Sequence, residues 1–264
     1  MEKLKSLNSL LISQKKEWGE ILTGFDTKHT FIPKLLFCFF LFIGESVFAE
    51  AKTLPDFNKE TINWGTQRYK FSLIKNKGKI ESGSVTFRSE IKGDQVILTD
   101  KYLLRHRGKT MSANMKQVCL KDQYLSPVKI ECEGKGHEEI PTFNAIIENG
   151  EAKISAPWNK SMKIPEGTVT TAAFLRIVTQ LPRVRGATYR YGFALEAGEM
   201  NLKKDYIAKV IGKETIISNG AKIECWKISQ NGGGIMEQLF WVTEDGTLQR
   251  VLMDGRKQID LQRH

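Results

Sequence analysis

The chain has 264 residues, 41% hydrophobic and 27% charged, with a formal net charge of +10. The first 49 residues hold six of the 40 basic and five of the 30 acidic side chains. The remaining 215 therefore carry 34 basic and 25 acidic residues, enough chain for one all-β domain with a substantial core. This balance favours acidic partners. The basic residues are scattered rather than gathered in one block, however, so a solvated surface explains them as well as a binding site does.

Residues 1–30 form a polar leader. Leu7, Leu10, Leu11, Trp18, Ile21 and Leu22 give it weak helical amphipathicity, and an over-long start or a disordered leader accounts for it. Residues 31–49 follow, with nine apolar residues from Leu35 to Ile43. A spanning helix needs about 20 such residues, more than this run supplies before Gly44-Glu45-Ser46, whereas about 7–15 suit a secretory signal core. Lys28 and Lys34 precede the run, and Val47-Phe48-Ala49 follows it as a small-residue site. Cleavage is expected between Ala49 and Glu50, with Ala51 offering a second cut and an uncleaved anchor as the alternative. Cys38 lies inside the apolar run after Phe37, a poor context for lipid attachment. Residues 50–63 read as a linker.

From residue 64 to 264 the pattern is that of short strands separated by turns. The predicted strands are 67–74, 80–91, 95–104, 111–120, 128–133, 143–147 and 151–155, then 189–196, 201–211, 214–217, 222–229, 235–242, 248–253 and 258–261. Asn149-Gly150, Asn219-Gly220, Asp245-Gly246 and Asp254-Gly255 suit tight hairpins, because asparagine, aspartate and glycine tolerate positive φ. One segment breaks the pattern. Thr168–Leu181 places Phe174, Ile177, Val178 and Leu181 on one helical face, with a threonine cap before it and Pro182 after it. The residues thus predict a mainly β domain carrying one amphipathic helix packed on an antiparallel sheet. The four apolar residues either complete the core or line a ligand groove.

Three cysteines remain after the leader, Cys119, Cys132 and Cys225. Cys119 and Cys132 flank a strand reversal, which leaves open either a disulfide or buried free thiols. No serine elbow, phosphate loop or zinc-protease motif occurs. Gly232-Gly233-Gly234 lies between strands and reads as a turn. Glu131, Cys132, Glu133 and His137 are explained by loop polarity without a metal, and nothing brings Cys119 to His106. No cofactor is expected.

The C-terminal third carries a resemblance. Its features are Tyr189-Arg190-Tyr191-Gly192-Phe193, Gly212-Lys213-Glu214-Thr215, Ile223-Glu224-Cys225-Trp226-Lys227-Ile228, Leu239-Phe240-Trp241-Val242 and Glu244-Asp245-Gly246-Thr247-Leu248-Gln249-Arg250. The segment resembles exported bacterial β-proteins catalogued only as a domain of unknown function. Gln249 and Ala221 depart from that pattern, at places where a proline and a threonine–aromatic pair are common. The resemblance implies a curved half-barrel or β-clam, like those of periplasmic lipoprotein carriers, and an envelope location. It implies no catalytic residue.

The resulting expectation is an exported, non-enzymatic binder of an apolar or lipid-like ligand. Its partners would be lipid or an anionic envelope component, not nucleic acid. A structural or assembly factor with a filled interior is the alternative, and an envelope hydrolase comes third.

Overall fold

Period-2 alternation dominates the chain, and it produces one sheet. The computed structural model describes residues 52–264 except 63, 76, 77, 107, 137–139, 156, 198, 199, 233, 234, 263 and 264. The leader and signal segment, with Ala49 and Glu50, lie outside the described residues.

The first half of the sheet comprises β1 (Lys52–Thr53), β2 (Gly65–Lys75), β3 (Gly78–Lys92), β4 (Gln95–His106), β5 (Lys109–Leu120), β6 (Pro127–Lys135), β7 (Phe143–Glu148), β8 (Glu151–Ile154) and β9 (Lys160–Lys163). A short strand β10 (Thr168–Thr170) leads directly into helix α1 (Thr171–Ile177). The second half is β11 (Thr188–Glu196), β12 (Asn201–Ser218), β13 (Ala221–Gly232), β14 (Ile235–Val242), β15 (Leu248–Met253) and β16 (Lys257–Leu261).

The strand order is β1-β11-β12-β13-β14-β15-β16-β2-β3-β4-β5-β6-β7-β8-β9, with β10 also on β11. Pairing is antiparallel except for β1 and β10, which run parallel to β11. The C-terminal strand β16 pairs with β2, so the two halves of the chain join mid-sheet. The sheet is curved and unclosed. Inside the curved sheet, Thr170 Oγ1 at the end of β10 donates to Gln117 Oε1 of β5 at 2.6 Å.

Inward-facing residues alternate along each strand, as in Val96, Leu98 and Asp100 of β4 and Phe240 and Val242 of β14. The helix sits among them. Thr170 caps it by accepting from Ala173 N at 3.1 Å, and only Thr171 of its seven residues is exposed. It is therefore shorter than the expected 168–181 and is buried all round rather than amphipathic. Thr168–Thr170 went to the β11 ladder instead. A short helix with apolar residues on every side belongs in an interior.

The stretch read as a linker also joins the fold. Thr53 pairs with Arg190, and Leu54 and Ile62 are buried in the main core. Residues 201–211 and 214–217, expected as two strands, form the single strand β12, because Gly212, at φ +149°, takes up a bulge without breaking the ladder. The tip of the β12–β13 hairpin reaches towards β15 and β16. Arg250 Nη2 donates to Ile217 O at 2.7 Å and Asn219 Nδ2 to Leu261 O at 2.8 Å. A separate apolar cluster of Ile216, Cys225 and Trp241 forms there.

Candidate functional site

The four residues expected to line a groove are core residues. Phe174, Ile177, Val178 and Leu181 are 2, 0, 0 and 1% exposed. Phe174 stacks on Tyr191 with centroids 5.1 Å apart and meets Phe240 edge-on at 5.5 Å. Tyr191 in turn stacks on Tyr206 and accepts a hydrogen bond from Gln230. This side of the helix is filled by aromatic rings.

The neighbouring strip of the helix is not filled. A cavity of about 290 Å³ lies beside Thr171, Ala172 and Leu175 of α1. Its other walls are Asp100 and Tyr102 of β4, Met115 and Gln117 of β5, Glu196 at the end of β11, and Ala197. Thr171, Ala172 and Ala197 are small here, while the bulky Phe174, on the neighbouring strip of the helix, turns into the aromatic cluster. None of the four expected groove residues lines it.

One wall rests on a buried ion pair. Arg176 Nη2 donates to Asp100 Oδ1 at 2.8 Å. The same guanidinium donates to Arg88 O and Ala172 O at 3.1 Å, and lies 5.1 Å from the Phe87 ring centroid and 5.2 Å from that of Trp64. Burial pushes the Asp100 carboxyl up, against the opposing pull of Arg176. Burial also raises the Tyr102 hydroxyl well above its ordinary value, helped by the Asp100 charge. Gln117 is 1% exposed; its oxygen accepts from Thr170, and its nitrogen reaches the weak thioether acceptor of Met115 at 3.3 Å. Glu196 Oε2 accepts from Asn201 Nδ2 at 3.5 Å.

Sequence reasoning missed this pair and this cavity. The local signals were Arg176 inside an otherwise apolar helix and Asp100 in the inward phase of β4. Nothing local says that the two meet.

The expected disulfide alternative is corrected. Cys119, Cys132 and Cys225 are free and buried. Cys132 pairs in register with Met115 and Cys119 with Pro127. Met115 and Cys119 are four residues apart on β5, about 13 Å at the usual strand rise, well beyond the roughly 7 Å Cα limit of a disulfide. Burial raises all three thiols, Cys225 to about 11, which keeps them in the unreactive protonated form. Glu131 and Glu133 project to the face opposite Cys132 and pair with Lys129 and Lys135. Among the described residues no group of three or more His, Cys, Asp or Glu converges on a metal position. His137 is outside the described residues, as is the side chain of His106.

No family model matches the chain, and no curated protein matches it. Two solved structures do. One is a β-barrel-like protein of the domain of unknown function DUF1849 from Brucella abortus, with a TM-score of 0.50 and 10% identity over 75% of this chain and 95% of that one. The other is a DUF1089 family protein from Pseudomonas aeruginosa, with a TM-score of 0.35 and 7% identity over 62% and 86% of the two chains. The first likeness shows a shared β-barrel-like fold. The mainly β, curved and unclosed sheet, with a single α-helix among the described residues, agrees with it. Among the described residues no helix is long and apolar enough to cross a membrane.

Proposed function

We propose that this chain is a non-enzymatic, exported envelope protein that binds a small amphiphile, or one end of a lipid-like molecule. The ligand occupies the cavity between α1, β4, β5 and the end of β11. The observation that carries this reading is a half-open pocket of about 290 Å³ beside the helix, next to the densely packed Phe174 strip. That volume sits at the lower end of small-ligand pockets. Its lining mixes apolar Met115, Ala172, Leu175 and Ala197 with a few convergent polar groups, the usual composition of a binding site. Export is supported by the signal-like segment 31–49. Titrating the purified protein with hexan-1-ol, followed by NMR, tests the reading. Saturable shifts at Tyr102, Gln117, Leu175 and Ala197 support it, and unchanged spectra at millimolar ligand overturn it.

A structural or assembly role in the envelope is the second reading. It is favoured by the full burial of Phe174, Ile177, Val178 and Leu181, which closes the side of the helix where a large lipid groove was expected.

A further inference from the structure

We infer that the outer face of the sheet carries a second site, which takes an acidic saccharide across β3–β6. It is separate from the cavity. Successive side chains of a strand point to opposite faces. On β4, Asp100 lines the cavity, whereas Lys101 and Leu103 stand in the other phase. Two cross-strand rows build the outer site. Thr86, Lys101, Asn114 and Glu133 stand side by side in one, and Ser84, Leu103, Ser112 and Lys135 in the other. All eight border an open depression of about 390 Å³. Short serine, threonine and asparagine side chains set between longer ones leave this hollow. Leu103, 46% exposed, gives it an apolar surface.

The charges do not cancel. Glu133 and Lys135 pair with each other at 2.7 Å. Lys101 has no hydrogen bond or ion pair among the described residues, and neither has Arg68, which stands beside Thr86 on β2. The depression thus holds one uncompensated cation, with a second at its end, and no uncompensated carboxylate. Such a balance attracts an anion. The side chains of Ser84, Thr86, Ser112 and Asn114 also lack partners among the described residues. Each can both donate and accept a hydrogen bond, as a sugar hydroxyl does. A bare anion would engage Lys101 and leave these four groups idle. A uronic-acid unit uses every feature: its carboxylate meets Lys101, its hydroxyls meet the four polar side chains, and the C–H face of its ring covers Leu103.

The test titrates trigalacturonate into the purified protein at low salt, followed by NMR. Neutral maltotriose, triglutamate and vesicles of anionic phospholipid serve as comparisons. Saturable shifts centred on Ser84, Lys101, Leu103 and Ser112 are expected, with affinity at least about tenfold above that for maltotriose or triglutamate. Lys101→Glu should remove most of the binding. Lys209→Glu, at an exposed position of β12, changes the net charge equally and should leave it intact. Circular dichroism confirms that both variants are folded. Equal affinity for maltotriose would remove the role of Lys101, equal affinity for triglutamate would assign an acidic peptide, and binding to vesicles alone would assign a membrane surface. Each of these overturns the inference, as does an equal loss in Lys209→Glu or no binding of trigalacturonate. Shifts from hexan-1-ol in the cavity are read at other residues, so the two readings fail separately.

Discussion

Arg176 and Asp100 lie 76 positions apart and form a 2.8 Å ion pair closed off from solvent, with 0 and 3% of their side chains exposed. The pair ties the central helix to β4, and Asp100 then continues into the cavity wall. Two buried charges are tolerated only when each is matched and hydrogen-bonded. Arg176 meets that condition with Asp100, two carbonyls and the faces of Trp64 and Phe87.

Breaking the pair from either side leaves an uncompensated buried charge. Arg176→Met and Asp100→Leu are each expected to cost about 3–5 kcal/mol in urea unfolding. The double variant should recover much of that loss, because no charge remains to be stranded. Strictly additive costs would show that the two residues act independently.

Phe174→Ala is expected to cost about 3–5 kcal/mol, through lost burial and the void left between Tyr191 and Phe240. Hexan-1-ol affinity should change little, since Phe174 does not line the pocket. A small stability loss accompanied by a large loss of binding would return the groove to the Phe174 side.

The cap at Thr170 has two roles. Its oxygen accepts from Ala173 N, and its proton goes to Gln117 of β5. Thr170→Val keeps the shape and removes both bonds. A loss of about 1–2 kcal/mol is expected from the cap alone, with more from the stranded Gln117 amide. Unchanged thermal stability would argue against a helix start anchored to β5 by this bond.

Cys225 gives a pH signature. Its thiol is raised from 9.0 to about 11 in the folded protein, first by burial. The folded-state value lies above the unfolded one. Its contribution to stability is therefore full below about pH 9 and is lost as pH rises through about 11. Denaturation at a series of pH values should show Cys225→Ala with a flatter decline across that window than the unmutated protein. Parallel curves would place the thiol in a more solvated setting.

Much of the sheet is legible in the sequence because strand phase is a local property. The strands 235–242 and 248–253 follow directly from alternation, and Asn219-Gly220 marks a real reversal in which Asn219 has φ +50°. The helix was legible as a helix but not in its extent. Thr168–Thr170 has a neighbouring ladder available, and that tertiary choice overrides the helical phase. An apolar stripe reads the same whether a helix lies on a sheet or inside one. The second buried side, with Ala172 and Leu175, becomes visible only once the sheet has curled round it. The Arg176–Asp100 contact and the cavity depend on residues from β4, β5, α1 and β11 meeting in space, which no single window contains.

The central claim is that the cavity beside Leu175 is where ligand binds. Hexan-1-ol affinity measured by NMR titration in the unmutated protein, in Leu175→Trp and in Ala197→Phe tests it most directly, with circular dichroism confirming that each variant is folded. The account predicts saturable binding with shifts centred on Tyr102, Gln117 and Ala197, and at least about a tenfold weakening in each folded variant, because a larger side chain occupies the space. Undiminished affinity in both, with shifts mapping elsewhere, would contradict it.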